Sequence, residues 1–198
     1  SVEESTLKGS VGIAHTRWAT HGEPNDLNAH PHMDETGTIV LIHNGIIENY
    51  SSLREALQKE GATFKSDTDT EVLVQLIASF CRRDKLSFEQ AVRAALQEVV
   101  GTYGIVALCK EEPDVMVAAR HGSPLVLGLS DGAYFLASDA SPIIEHTRNV
   151  IYLDEGEMVE FWPGWWADEY YGESPDLWSS LGIYDCNGTR GDEGCWKQ

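Results

Sequence analysis

Between Thr102 and Phe161 the chain reads as six short apolar runs, YGIVALC, DVMVAA, PLVLGL, AYFLAS, VIYLDE and MVEF, parted by Gly, Asp and Pro turns. Runs this short and this closely spaced leave no room for crossover helices, so the strands they predict must pair antiparallel. Two more strands are expected upstream, over Ser10 to Ala14 and Thr38 to His43, with a Gly- and Pro-containing loop between them. From there to Thr102 the apolar period changes from two to 3.6. Ser52 and Glu55 form a predicted capping box for a helix carrying Leu53 and Leu57 and stopped by Gly61. Thr68 and Glu71 form another, opening a helix whose Val72, Leu73, Leu76, Ile77 and Phe80 share one face. Ser87 and Gln90 open a third, with Phe88, Ala91, Val92, Leu96 and Val99 as its apolar side. Antiparallel sheets with three packed helices place the chain in the α+β class.

Charge narrows the partners. With 14 Lys and Arg against 32 Asp and Glu the formal charge is -18, which argues against nucleic acid and against an anionic membrane and favours a small molecule or a protein. No apolar run approaches the roughly 18 residues of a membrane span, and the opening SVEESTLKGS has the wrong composition for a signal peptide, so a cytoplasmic setting is expected. The four cysteines, Cys81, Cys109, Cys186 and Cys195, have no CxxC spacing and are read as free thiols. After Phe161 the character shifts: residues 162–198 hold five of the six Trp and no periodic apolar face. This segment is expected to be an irregular acidic tail, with a docked aromatic segment as the alternative, and not a continuation of the strand series. Its Asn187-Gly188-Thr189 and Arg190-Gly191-Asp192 are chance-level matches to short motifs.

The chemistry concentrates in HTRWATHG, His15 to Gly22, directly after Val11-Gly12-Ile13-Ala14. The planar fork of Arg17 suits a carboxylate, although a surface ion pair is the commoner fate of an Arg. Asn44-Gly45, following TIVLIH, has the spacing of a hairpin turn; the functional alternative is an oxyanion hole made by the amide side chain and a Gly N–H. Asp69 could hold an ammonium group, or act as an acid at a helix N-terminus favoured by the macrodipole. His15, His21, His30 and His32 fall within eighteen residues, yet no HExxH and no carboxylate at a ligand spacing accompanies them, so no metal is expected. GxGxxG and GxxxxGK[ST] are absent from the sequence, and no cofactor is expected either.

Four motifs in order, HTRWATHG, NAHPH (Asn28 to His32), HNGIIENY (His43 to Tyr50) and SDTDTEV (Ser66 to Val72), closely resemble the glutaminase domain of the glucosamine-6-phosphate synthase family, a class II glutamine amidotransferase. AARHGSPLVLGL, FLASD and VIYLDEGEMVE extend the match, which runs over about residues 9 to 161. The resemblance implies a four-layer αββα sandwich of the N-terminal-nucleophile hydrolase type, here without its opening strands and first helix. It divides the chain into a partial amidotransferase domain, 1–161, and a tail, 162–198, whose structure it does not predict. It further implies that Arg17 binds the α-carboxylate of glutamine and Asp69 its α-ammonium, that Trp18, Thr20 and His21 line the pocket, and that Asn44 and Gly45 form the oxyanion hole.

In this family the attacking group is an N-terminal cysteine whose own α-amino group serves as base. The segment that would carry it lies upstream of the one matching Val11, and Ser1 is too close to the matched region to replace it. The 198 residues alone are therefore expected to be inactive, and a glutamine-binding module without turnover or an unstable truncated product are the rival readings. In the complete enzyme the resemblance implies ammonia transfer to fructose 6-phosphate bound by isomerase lobes, with a homodimer as a candidate assembly.

Overall fold

The computed structural model describes residues 9–17, 22–161 and, as backbone, 181–185. Strands β1 (His32–Met33) and β2 (Ile39–Ile47) are followed by helices α1 (Tyr50–Lys59), α2 (Asp69–Asp84) and α3 (Phe88–Glu98). Six strands then succeed one another: β3 (Gly101–Cys109), β4 (Glu112–His121), β5 (Val126–Ser130), β6 (Ala133–Ala137), β7 (Asn149–Tyr152) and β8 (Glu157–Phe161). All six fall on the runs the sequence singles out. A further strand, β9 (Leu181–Asp185), pairs antiparallel with β8, so the stretch after Phe161 does extend the strand series. The expectation of an irregular tail fails there because a backbone edge selects a partner by its hydrogen bonds, which composition does not report.

The strands form a six-stranded sheet in the order β1-β2-β3-β4-β8-β9 and a three-stranded sheet in the order β6-β5-β7. Every pairing within them is antiparallel. Alternation along the strands builds two cores. Ile39, Leu41 and Ile47 of β2, Ile105 and Ala107 of β3 and Val117 of β4 meet the helices through Val72, Leu73, Ile77, Phe88 and Val92. The opposite face, with Val106, Ala118 and Val159, packs on Leu127 and Leu129 of the small sheet. On the outside of that sheet Ile143 is seated over Gly128, where an added Cβ would lie 2.3 Å from its Cγ2. The described residues thus form a helix layer and two sheet layers of the expected sandwich.

Three local expectations need correction. Ser10 to Ala14 does not join a sheet. Helix α1 starts earlier than its supposed capping box: Asn49 is the cap residue, with no side-chain cap bond, and Ser52 lies inside the helix, donating to the Asn49 carbonyl at 2.9 Å. The Asn44-Gly45 pair is not a turn, since β2 runs through it, with Asn44 opposite Gly104 and Gly45 opposite Tyr103. The turn that Asn-Gly spacing suggested sits one strand earlier. There Asp34, 3% exposed, accepts from the backbone N–H groups of Thr36, Thr38 and Ile39 at 2.7–3.0 Å and joins β1 to β2. Burial pushes the Asp34 carboxyl upward, but the hydrogen bonds from Ile39, Thr36 and Thr38 outweigh it and leave its pKa below the usual value.

The Ser87–Gln90 capping box is present in full. Substituting Ser87→Ala is therefore expected to cost about 1 kcal/mol, whereas Ser52→Ala should stay within about 0.5 kcal/mol. Urea-unfolding midpoints of the two variants check this, and a larger loss for Ser52→Ala would contradict the assigned helix starts.

Candidate functional site

The polar motifs converge on the C-terminal half of β2, where the sheet's two faces part company. Even-numbered residues of β2 face the small sheet: Ile42 packs against the inter-sheet core, but the next on that face, Asn44, is exposed and Ile46 is 42% exposed. Asn44 therefore stands on the rim of the inter-sheet core, open to a ligand.

Its amide is held from the side. His15 Nε2 lies 2.8 Å from Asn44 Oδ1. Because a carbonyl oxygen can only accept, the His15 proton belongs on Nε2, and the contact engages the carbonyl end of the Asn44 amide and not its NH2. The next residue must be glycine. Gly45 has φ +131°, and a Cβ there would lie 2.2 Å from the Thr102 carbonyl oxygen on the neighbouring strand. Thr102 also accepts the Ile46 N–H through its hydroxyl at 3.2 Å and faces His43 Nε2 through its carbonyl at 3.3 Å.

Odd-numbered residues of β2 face the helices, and there the strand meets the start of α2. His43 Nδ1 is 3.0 Å from the Thr70 hydroxyl. Asp69, 3% exposed, accepts the Ile47 N–H at 2.9 Å. It is the first residue of α2, where the local reading as a helix-terminal acid puts it. Thr68 caps the helix by accepting from the Glu71 N–H at 3.2 Å. Glu71 does not return the bond to Thr68, as a capping box requires; its carboxylate instead accepts from the N–H groups of Lys65 and Ser66 at 2.8 and 2.6 Å.

Arg17 reaches the site on the chain that carries His15. Its Nη1 and Nη2 donate to the carbonyl oxygens of Glu23 and Gly22 at 3.2 and 3.1 Å, which fixes the guanidinium through two backbone groups. Arg17 and Asp69 share one electrostatic neighbourhood, since the His32 ring feels both. Trp18, Thr20 and His21 lie outside the described residues.

Between these groups sits a cluster of imidazoles that individual motifs did not reveal. His15 stacks on His30 with ring centroids 4.3 Å apart, and His30 meets His32 edge-on at 5.0 Å. His30 Nδ1 accepts the His43 N–H at 3.3 Å, and His32 Nε2 is 3.1 Å from the Thr68 hydroxyl. Burial, reinforced by the neighbouring His15, His32, His43 and Arg17, lowers the His30 pKa to about 3. Burial also lowers that of His32 against the pull of Glu71. His30 and His32 are thus neutral at pH 7 and work by shape and hydrogen bonding. Its signal in the sequence was the repeated His of HTRWATHG, NAHPH and HNG, but only the fold shows that the rings stack.

Comparison with known proteins agrees with the motifs. The sequence profile of the glutamine amidotransferase domain matches residues 3–168. Glutamine–fructose-6-phosphate aminotransferase (isomerizing) of Chlorobaculum tepidum is 61% identical over 154 residues, which cover 77% of this chain and 25% of that protein. Its namesake in Bacteroides thetaiotaomicron is 54% identical over 158 residues, covering 80% of this chain and 26% of that protein. The chain therefore spans about a quarter of the length of these relatives. Among solved structures, glutamine phosphoribosylpyrophosphate amidotransferase from B. subtilis superposes with a TM-score of 0.65 at 22% identity, over 87% of this chain and 34% of that one. An allosteric regulatory enzyme of purine biosynthesis gives 0.62 at 21% identity, over 81% and 31% of the two chains. These two likenesses establish a shared fold.

The imidazole cluster has a pH signature. The folded chain refuses a proton at His30 that the unfolded chain accepts below about pH 6.5, so the stability contributed by the neutral ring is present above that pH and declines as pH falls toward 3. The Tm of His30→Gln relative to the parent should rise by a few degrees between pH 7.5 and 5. Glu160, which burial, Glu89 and Glu112 raise to about 7, has the opposite sign but is common to both proteins and cancels. A pH-independent difference in Tm would contradict a neutral, buried His30.

The matched profile, the identity to the curated relatives and the shared sandwich together establish that this chain belongs to the glutamine amidotransferase domain family.

Proposed function

We infer that the domain binds L-glutamine at the rim of the inter-sheet core and, within a longer protein, releases its amide nitrogen as ammonia. The observation that carries this reading is the exposed Asn44 amide, held through its oxygen by His15 at 2.8 Å beside a glycine that the facing strand requires. Such an amide and the Gly45 N–H are suited to a tetrahedral oxyanion. Attack on the γ-amide carbon of glutamine converts the carbonyl into that oxyanion, and its collapse expels ammonia and leaves an acyl group for water to release as glutamate. Arg17 meets the α-carboxylate and Asp69 the α-ammonium, while Trp18, Thr20 and His21 close the pocket.

The nucleophile in this scheme is an N-terminal cysteine brought in by a segment preceding the matched region. The thiols among the described residues do not serve. Cys109 pairs with Ile39, five residues along β2 from Asn44, or roughly 17 Å at about 3.3 Å per residue. Burial raises the Cys109 pKa and pushes Cys81 to about 11, which keeps both in the unreactive thiol form. The 198-residue polypeptide by itself then acts as a glutamine-binding module without turnover. In the complete cytoplasmic enzyme the ammonia is delivered to fructose 6-phosphate to give glucosamine 6-phosphate.

Two measurements test the scheme. Titration of the 198-residue polypeptide with L-glutamine should show saturable binding, weakened at least tenfold in Arg17→Ala and in Asp69→Asn, and no glutamate above the solution background; sustained glutamate release would contradict it. In a chain extended by an opening segment that begins Cys-Gly-Ile, glutaminase turnover should appear, and Asn44→Ala should lower kcat by about two to three orders of magnitude. An unchanged kcat would remove Asn44 from the oxyanion site.

A further inference from the structure

We propose that Asn28 is a positioning residue that sets the distance between the carboxylate-binding and ammonium-binding sides of the pocket, an inference that rests on the glutamine reading above. Asn28 is 1% exposed and lies on a three-residue helical turn, Asp26–Asn28, far from both groups in sequence. Its amide has two ends, and each is committed to a different half of the site. Nδ2 donates to the Glu23 carbonyl at 3.0 Å, the same oxygen that accepts from Arg17 Nη1 at 3.2 Å. Oδ1 accepts the Asp67 N–H at 2.9 Å, two residues before Asp69 and one before the Thr68 cap of α2.

One buried amide thus ties the loop that fixes the Arg17 guanidinium to the turn that presents Asp69. The tie is held from several directions. The Asn28 N–H is capped by Asn25 Oδ1 at 2.9 Å. The Asn28 backbone hydrogen-bonds the His32 ring, whose Nε2 contacts Thr68 at 3.1 Å. Gly22 packs so closely that a Cβ on it would lie 2.5 Å from Asn28 Nδ2, at a φ of +74° that also favours glycine. A zwitterionic amino acid presents its carboxylate and ammonium at one fixed separation, so a rigid link between their two receptors converts that separation into selectivity.

The link is made asymmetric by the amide itself, which allows its halves to be cut separately. In Asn28→Asp the oxygen facing Asp67 is kept, while the former donor becomes a second acceptor against the Glu23 carbonyl. Only the Arg17 side is released.

The experiment compares three ligands by titration of the full 198-residue chain: L-glutamine, 4-aminobutanamide, which lacks the α-carboxylate, and 5-amino-5-oxopentanoate, which lacks the α-ammonium. The parent protein should prefer glutamine to each analogue by at least about tenfold. In Asn28→Asp the preference over 4-aminobutanamide should fall about tenfold or more, while that over 5-amino-5-oxopentanoate stays within about threefold of the parent. Gly22→Ala strains the same joint from the loop side and should reproduce the selective loss, which keeps the test available if Asn28→Asp does not fold. A folded variant that keeps both preferences, or loses both equally, overturns the role of Asn28. A parent protein with neither preference overturns the glutamine reading and this inference with it.

Discussion

The site depends on the unbroken pairing of β2 with β3, which runs from Ile39 opposite Cys109 to Ile47 opposite Gly101. Because side chains alternate across a strand, this single ladder distributes consecutive residues to two different layers. Asn44 goes to the inter-sheet rim and His43 to the helix side, where the backbone of Ile47 also receives Asp69. The ladder pays for this arrangement at Gly45 and Gly101, both near φ +130°, where the strands approach so closely that a Cβ would fall 2.1–2.2 Å from a carbonyl oxygen of the partner. A one-residue slip would exchange the two faces and bury the Asn44 amide against the helices.

The buried imidazoles of His30 and His32 beside that strand contribute shape and hydrogen bonds rather than charge. His30 and His32 are neutral because burial outweighs every group that would protonate them. Thr68, Thr70 and Asn28, all at most 2% exposed, each have partners on another segment. Buried polar groups are costly when unpaired and specific when paired, so such a network holds loops in one arrangement more effectively than an apolar contact of the same size. On the proposed reading, such a network holds the segments that carry Arg17 and Asp69 in one arrangement around a small zwitterion.

Much of the fold was legible because strand and helix periods are local properties. The six runs after Thr102, the apolar faces of α2 and α3 and the Ser87 cap all appear where their spacing puts them. Several of the errors arise where contacts made elsewhere in the chain overrode a local signal. Asn44-Gly45 has turn chemistry, yet β3 offers it nine consecutive partners and the strand continues. Ser52 and Glu55 have capping spacing, yet α1 begins before them. Residues 181–185 carry no period of their own and become a strand on the β8 edge. In the site, single motifs suggested roles for Arg17, Asn44 and Asp69, but the contribution of Asn28 rests on a contact 39 residues away and that of His15 on one 29 residues away. No spacing rule reaches that far.

The central claim is that glutamine occupies the rim at Asn44, between Arg17 and Asp69. Backbone and side-chain NMR shifts of the isotope-labelled chain during titration with L-glutamine test it most directly. The account predicts saturable perturbations at the Gly45 N–H, the Asn44 side-chain amide, the Arg17 guanidinium and the Thr70 N–H, absent with D-glutamine, and little change on β6 and β7. Perturbations confined to β6, β7 or the outer surface of the helices, with Gly45 and Asn44 unmoved at saturation, would contradict it.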